Sequence, residues 1–174
     1  MLGCKTAGRI TEQHDIFFGI GKSLKELVPQ IDGFWPEAAG KWHVDVWREV
    51  TSVNGFEIKV IEKTSKESAQ NLFFINLGGY RPNEFDEYHY KLLVAAPTMA
   101  DAIRQSKQTA FYKHFGFAGA VSHIDDKYGV DIDDTYNVSD ILDDALKQRY
   151  SLEISAADLP EDALHIGYLP IKKL

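Results

Sequence analysis

Hydrophobic and polar positions along the chain alternate between two periods. Apolar runs of strand length follow polar starts at His14-Asp-Ile-Phe-Phe-Gly-Ile20 and His89-Tyr-Lys-Leu-Leu-Val-Ala95, and a further run opens at Leu72-Phe-Phe-Ile-Asn76. Behind the first two, apolar residues recur at helical spacing: Leu24, Leu27, Val28 and Ile31, then Met99, Ala102 and Ile103. Each helix has a start signal, Ser23-x-x-Glu26 and Thr98-x-x-Asp101, in which the hydroxyl accepts from an early helical N–H and the acid lies where the helix dipole favours negative charge. Pro29 is expected to kink or shorten the first helix.

The two halves echo each other. At an offset of 75 positions Leu2-Gly3 falls on Leu77-Gly78, Glu12 on Glu87 and His14 on His89. Past the helices the offset becomes 80, so that His43-Val-Asp45 falls on His123-Ile-Asp125. In the first half Asn54-Gly55 supplies the two positive-φ positions of a type I′ hairpin turn, pairing residues 42–52 with 56–62. In the second, the counterpart of Phe56-Glu-Ile-Lys-Val60 is Tyr150-Ser-Leu-Glu-Ile154, and an acidic loop with a short helix near Ser139–Gln148 replaces the tight turn. The expected fold is therefore α+β: two tandem β-β-α-β-β repeats related by a pseudo-two-fold, with antiparallel or mixed sheets and the helices on one face. A ferredoxin-like arrangement is the alternative. The repeats span 1–63 and 71–155, the second with an acidic insertion at 126–149; residues 64–70 are a polar linker, and 156–174 a tail with a strand at Leu164–Leu169, all within one compact unit. The offset places the counterpart of the Leu72 strand before Met1, so the first repeat is expected to lack its opening strand and the natural start to lie upstream.

Four strings, Leu2-Gly-Cys-Lys5, Glu12-Gln-His-Asp15, Leu72-Phe-Phe-Ile-Asn-Leu-Gly-Gly-Tyr-Arg-Pro82 and His123-Ile-Asp-Asp-Lys-Tyr128, resemble an uncharacterised bacterial family, domain of unknown function fifteen-forty-three. Its members carry one or two copies of such a unit. The resemblance implies a fold grouping and no activity.

Composition narrows the partners. With 19 Lys+Arg against 26 Asp+Glu the formal charge is −7, which disfavours a nucleic-acid backbone. Cys4 is the one cysteine, so no intramolecular disulfide forms and a reducing, cytoplasmic setting is expected. No apolar window reaches the roughly 18 residues that span a bilayer.

The residue pattern that bears most directly on chemistry is Glu12-x-His14 with His43-x-Asp45, echoed by Glu87-x-His89 with His123-x-Asp125. Residues two apart in a strand share a face, so each pair sets a carboxylate beside an imidazole. If the strands are neighbours, each half gathers two histidines and two acids, suited to a divalent transition metal or a His–carboxylate acid–base pair. A histidine held by a carboxylate is also an ordinary way to satisfy a half-buried polar group.

Other features read as structural. Gly19-Ile-Gly-Lys-Ser23 lacks the early glycine of a phosphate loop, since position 16 is Ile16, and Ser23 reads as a cap. Asp125-Asp126 and Asp131-Ile-Asp133-Asp134 read as a solvated acidic loop off the calcium-loop pattern. The aromatics at Phe34-Trp35, Trp42, Trp47 and Phe111–Phe117 read as plugs at the helix-to-strand corners. Two functions follow as expectations: a binding or interaction protein with a cleft between the repeats for a small molecule or protein, homodimeric if subunits pair, or a small metal-dependent or His–carboxylate enzyme.

Overall fold

The computed structural model describes residues 1–64, 68–80, 83–109 and 131–174. It is a mixed α+β fold whose strand pairs, among these residues, are all antiparallel. A four-stranded sheet runs in the order β10 (His165–Pro170), β3 (His43–Trp47), β1 (Leu2–Cys4), β2 (Gln13–Asp15). A second joins β4 (Ser52–Val53), β5 (Phe56–Glu62) and β9 (Tyr150–Ala156), and a third runs β7 (Glu87–Ala96), β6 (Asn71–Tyr80), β8 (Asp131–Asn137). The helices are α1 (Leu24–Phe34), α2 (Met99–Thr109) and the short α3 (Val138–Ile141) and α4 (Asp144–Arg149). No helix among the described residues is long and apolar enough to cross a membrane.

The opening strand expected to be missing is present in short form. Leu2–Cys4 forms β1 at the centre of its sheet, in line with Leu77–Gly79 at the far end of the ten-residue β6. The tail strand β10 covers the outer side of β3.

Local chemistry sets the helix ends. Ser23 Oγ accepts from Glu26 N at 3.4 Å, and Glu26 Oε2 accepts from Lys22 N at 2.9 Å, one residue earlier than a full capping box would place it. Pro29 does not shorten α1, which continues to Phe34 and closes with Trp35 N donating to Ile31 O at 2.9 Å. Burial of Ile31 beyond the proline holds that last turn against the sheet. At the second helix, Thr98 Oγ1 accepts from Asp101 N and donates to its carboxylate.

The Asn54-Gly55 turn forms with φ of +40° and +85°, and Val53 pairs with Phe56. Asn54 then reaches across to the third sheet: its Oδ1 accepts from Ala95 N at 2.7 Å and its Nδ2 donates to Ala95 O at 3.1 Å, as a neighbouring strand would.

Alternation along β6 divides the interior. Leu72 and Phe74 face a core shared with Val53, Ile58, Ala95, Val138 and Ile154; Phe73, Ile75 and Leu77 face a second with Val94, Ala96 and Ala102 of α2. A third core lies under α1, where Leu2, Cys4 and Val44 meet Ile31, Ala38 and Trp42. Trp42 satisfies its indole N–H on Asp32 Oδ1 at 2.8 Å.

The acidic stretch needs correction. Residues 131–137, expected in a solvated loop, form β8 against β6. Aspartate is a poor strand former, but the free side of β6 offers a full row of backbone partners, and that pairing overrides propensity. The expected helix near Ser139–Gln148 is split into α3 and α4, each capped by the residue before it.

Candidate functional site

The centre of the four-stranded sheet carries a polar group on the face away from α1. Leu2, Cys4 and Val44 point to the helix, so by alternation Gly3, His43 and Asp45 point the other way. Register completes the group: Gly3 lies opposite His14 on β2 and opposite His43 on β3. Glu12 stands two residues before His14 and Asp45 two after His43, and the Asp45 N–H donates to Met1 O at 3.0 Å.

The four side chains meet above Gly3. His14 Nε2 lies 3.7 Å from Glu12 Oε2 and 3.6 Å from Asp45 Oδ2; His43 Nε2 lies 3.5 Å from Glu12 Oε1 and 3.1 Å from Asp45 Oδ1. Each imidazole thus faces both carboxylates, and each carboxylate turns one oxygen to each imidazole. Three of the four separations exceed a normal N–H···O bond, and the buried Asp45 Oδ2 has no hydrogen-bond partner. Gly3 makes the room: a Cβ there would stand 2.5 Å from His43 Nε2 and 2.7 Å from Asp45 Oδ2. His43 is 8% exposed in its side chain and Asp45 22%, while Glu12 and His14 are each 44% exposed, so the group has a buried wall and a solvent-facing one. Among the described residues no three or more His, Cys, Asp or Glu side chains form a ready-made metal cage.

The second predicted set is only partly on view. Gly78 lies opposite His89, as Gly3 lies opposite His14, and His89 Nε2 is 3.8 Å from Glu87 Oε2. Asn76 Nδ2 donates to Asp134 Oδ2 at 3.2 Å and lies 3.4 Å from His89 Nδ1. His123 and Asp125 lie outside the described residues. The strand beside β6 in the place that β3 takes beside β1 is β8, with Asp131 at the register position opposite Gly78.

Sequence reasoning missed two contributors. Gly3 carries a signal, the Leu-Gly echo at Leu77-Gly78, but its place between two histidines depends on register. Tyr168 carries none: it comes from the tail, and its ring lies 4.3 Å from that of His43. Cys4, on the opposite face, is buried, which pushes its thiol pKa up, with the Glu12 charge acting in the same direction. It is not poised as a nucleophile. Ser23 caps α1, so the Gly19–Ser23 segment is a helix entry.

No curated protein matches the chain in sequence. In structure it is similar to the crystal structure of a protein Il1583 from Idiomarina loihiensis, at 22% identity and a TM-score of 0.62, covering 98% of this chain and 92% of that one; the likeness shows a shared fold. Residues 9–60, which hold Glu12, His14, His43 and Asp45, match the model of a family described as Domain of Unknown Function (DUF1543).

Proposed function

We propose that the face over Gly3 binds a divalent transition metal through His14, His43, Glu12 and Asp45, and that the protein works through that ion. The observation that carries this reading is that two imidazole nitrogens address the same two carboxylates at 3.1 to 3.7 Å, with Asp45 Oδ2 buried and without a hydrogen bond. Ligand atoms around a tetrahedral ion with bonds of about 2.1 Å stand about 3.4 Å apart. The observed separations are of that size but run to four different oxygens, so one oxygen of each carboxylate must turn towards both imidazoles as an ion enters. The sheet fixes the backbones of His14, His43 and Asp45, so closing onto an ion needs only side-chain rotation. Mixed imidazole and carboxylate donors suit zinc, iron, cobalt, nickel or manganese better than calcium. With neutral imidazoles the four groups carry two negative charges, and the ion pairs that Glu12 and Asp45 make among the described residues are all with these histidines. The half-exposed Glu12 and His14 leave a side from which water or substrate reaches the ion.

The 3.1 Å contact between His43 and Asp45 favours a second reading, a metal-free acid–base pair. We also read the chain as two tandem copies, because β2-β1-β3 and β7-β6-β8 share an order and Gly3–His14 and Gly78–His89 share a register.

Elemental analysis of protein purified without a metal-affinity tag tests the proposal. Wild type should carry about one transition-metal ion per chain, and His14→Ala and Glu12→Gln should lose it with circular dichroism unchanged. Metal-free wild type that also takes up no zinc, cobalt, nickel or manganese by calorimetry sinks the metal reading and leaves the acid–base pair.

A further inference from the structure

We infer that Tyr168 is a positioning residue for this site, and that the C-terminal strand is shaped to deliver it. The inference rests on the metal reading for its consequence and on the strand geometry for its substance.

The pairing of β10 with β3 is interrupted at one place. Ile166 lies opposite Val46 and Leu169 opposite Val44, so Gly167 and Tyr168 together face the single residue Asp45. This is a β-bulge, and its extra residue resets the alternation of the strand. Counted from Ile166 without the bulge, Tyr168 would share the face of Ile166 and Val46. With it, Leu169 packs with Val44 in the core under α1, and Tyr168 stands on the opposite face, over His43. The bulge depends on Gly167, whose φ of +137° is a conformation that side-chain-bearing residues rarely adopt, although nothing stands within 4 Å of a Cβ there.

Burial does not explain where Tyr168 sits, because it is 68% exposed while the imidazole beneath it is nearly buried. The tyrosine covers the histidine. Its ring lies 4.3 Å from the His43 ring at an interplanar angle of 41°, on the side opposite Gly3 along the sheet. His43 is thus held between a glycine gap and an aromatic wall, with Nε2 turned to Glu12 and Asp45. Hydrogen-bonding partners that orient metal-binding imidazoles typically cost 10- to 100-fold in metal affinity when lost, and a ring packed on the imidazole restricts its orientation by contact instead. Four residues along β3 from His43, Trp47 stacks on His165 at 4.0 Å and 8°, clamping the start of β10 to β3.

The test uses the full chain with Tyr168→Ala, Tyr168→Phe and Gly167→Ala, read by two measurements. Cobalt(II) or zinc titration should show at least tenfold weaker binding in Tyr168→Ala and Gly167→Ala and near-wild-type binding in Tyr168→Phe, which keeps the ring. Independently of any metal, the His43 Cε1–H resonance should lose its ring-current displacement and broaden in Tyr168→Ala while Tyr168→Phe keeps it. Wild-type metal affinity in Tyr168→Ala overturns the positioning role and leaves the metal reading standing. An unchanged His43 resonance in Tyr168→Ala overturns the inference even if no metal binds at all.

Discussion

At the scale of single residues, Gly3 decides whether the four side chains of the proposed site can meet. Its neighbours on the site face are two imidazoles and a carboxylate, and the space a side chain would fill is where they meet. Gly3→Ala should therefore destabilise the fold by about 1–3 kcal/mol, as overpacking does, and should abolish metal uptake. Gly33 in α1 is a matched control, because a Cβ there meets nothing within 4 Å. Gly33→Ala should stabilise by up to about 1 kcal/mol through helix propensity. Urea denaturation of both variants gives the signs, and a stable Gly3→Ala that still binds metal contradicts the assignment. Much of this was legible beforehand: Glu12, His14, His43 and Asp45 follow from residues two apart sharing a strand face. The glycine beneath them was not, because register is set by tertiary pairing and leaves no local mark on a single sequence.

At the scale of elements, the hydroxyl caps of the two long helices were legible because capping is local chemistry, and they carry a pH dependence that can be measured. Thr98 donates to the Asp101 carboxylate and Arg104 Nη2 donates to it from the next turn, at 2.7 and 2.6 Å. The Thr98 hydrogen bond first, and Arg104 second, hold the Asp101 pKa below its ordinary value. A carboxylate with a depressed folded pKa stabilises the fold above its unfolded pKa, and that contribution is lost as pH falls through the folded one. Thr98→Ala should lower Tm by about 2–4 °C near neutrality, the effect of a lost cap in a chain of this size. The gap from wild type should shrink towards pH 2, as the carboxylate protonates. A gap that stays constant with pH would assign the effect to the hydroxyl–N–H bond alone. Elements set by long-range pairing were harder to read. The aspartate-rich β8 resembles a loop by composition, and only the vacant side of β6 makes it a strand. The bulge in β10 likewise arises from a partner strand more than a hundred residues away.

For the whole molecule, the β4–β5 hairpin joins the halves. Phe56–Glu62 pairs with Tyr150–Ala156 over seven consecutive residues, and Val53 and Ile58 enter one core with Leu72, Phe74, Ala95, Val138 and Ile154. The tail adds a further tie: the Asp162 carboxylate accepts from Thr51 N at 3.0 Å and from Ser52 N at 3.1 Å. If the first half were removed, Leu72 and Phe74 would lose the cover of Val53 and Ile58, so this core belongs to both halves and the chain should unfold as one unit. The sequence contains a built-in test, because its three tryptophans, Trp35, Trp42 and Trp47, all lie in the first half. Tryptophan fluorescence reports that half alone, whereas far-ultraviolet circular dichroism reports both. Urea transitions followed by the two signals should coincide in midpoint. Ile58→Ala, which removes a side chain 5% exposed in the shared core, should cost about 2–5 kcal/mol and move both transitions together. Divergence of the two midpoints in wild type, or a shift confined to fluorescence in Ile58→Ala, would mean that the halves are held by separate cores and that the hairpin merely touches its neighbour.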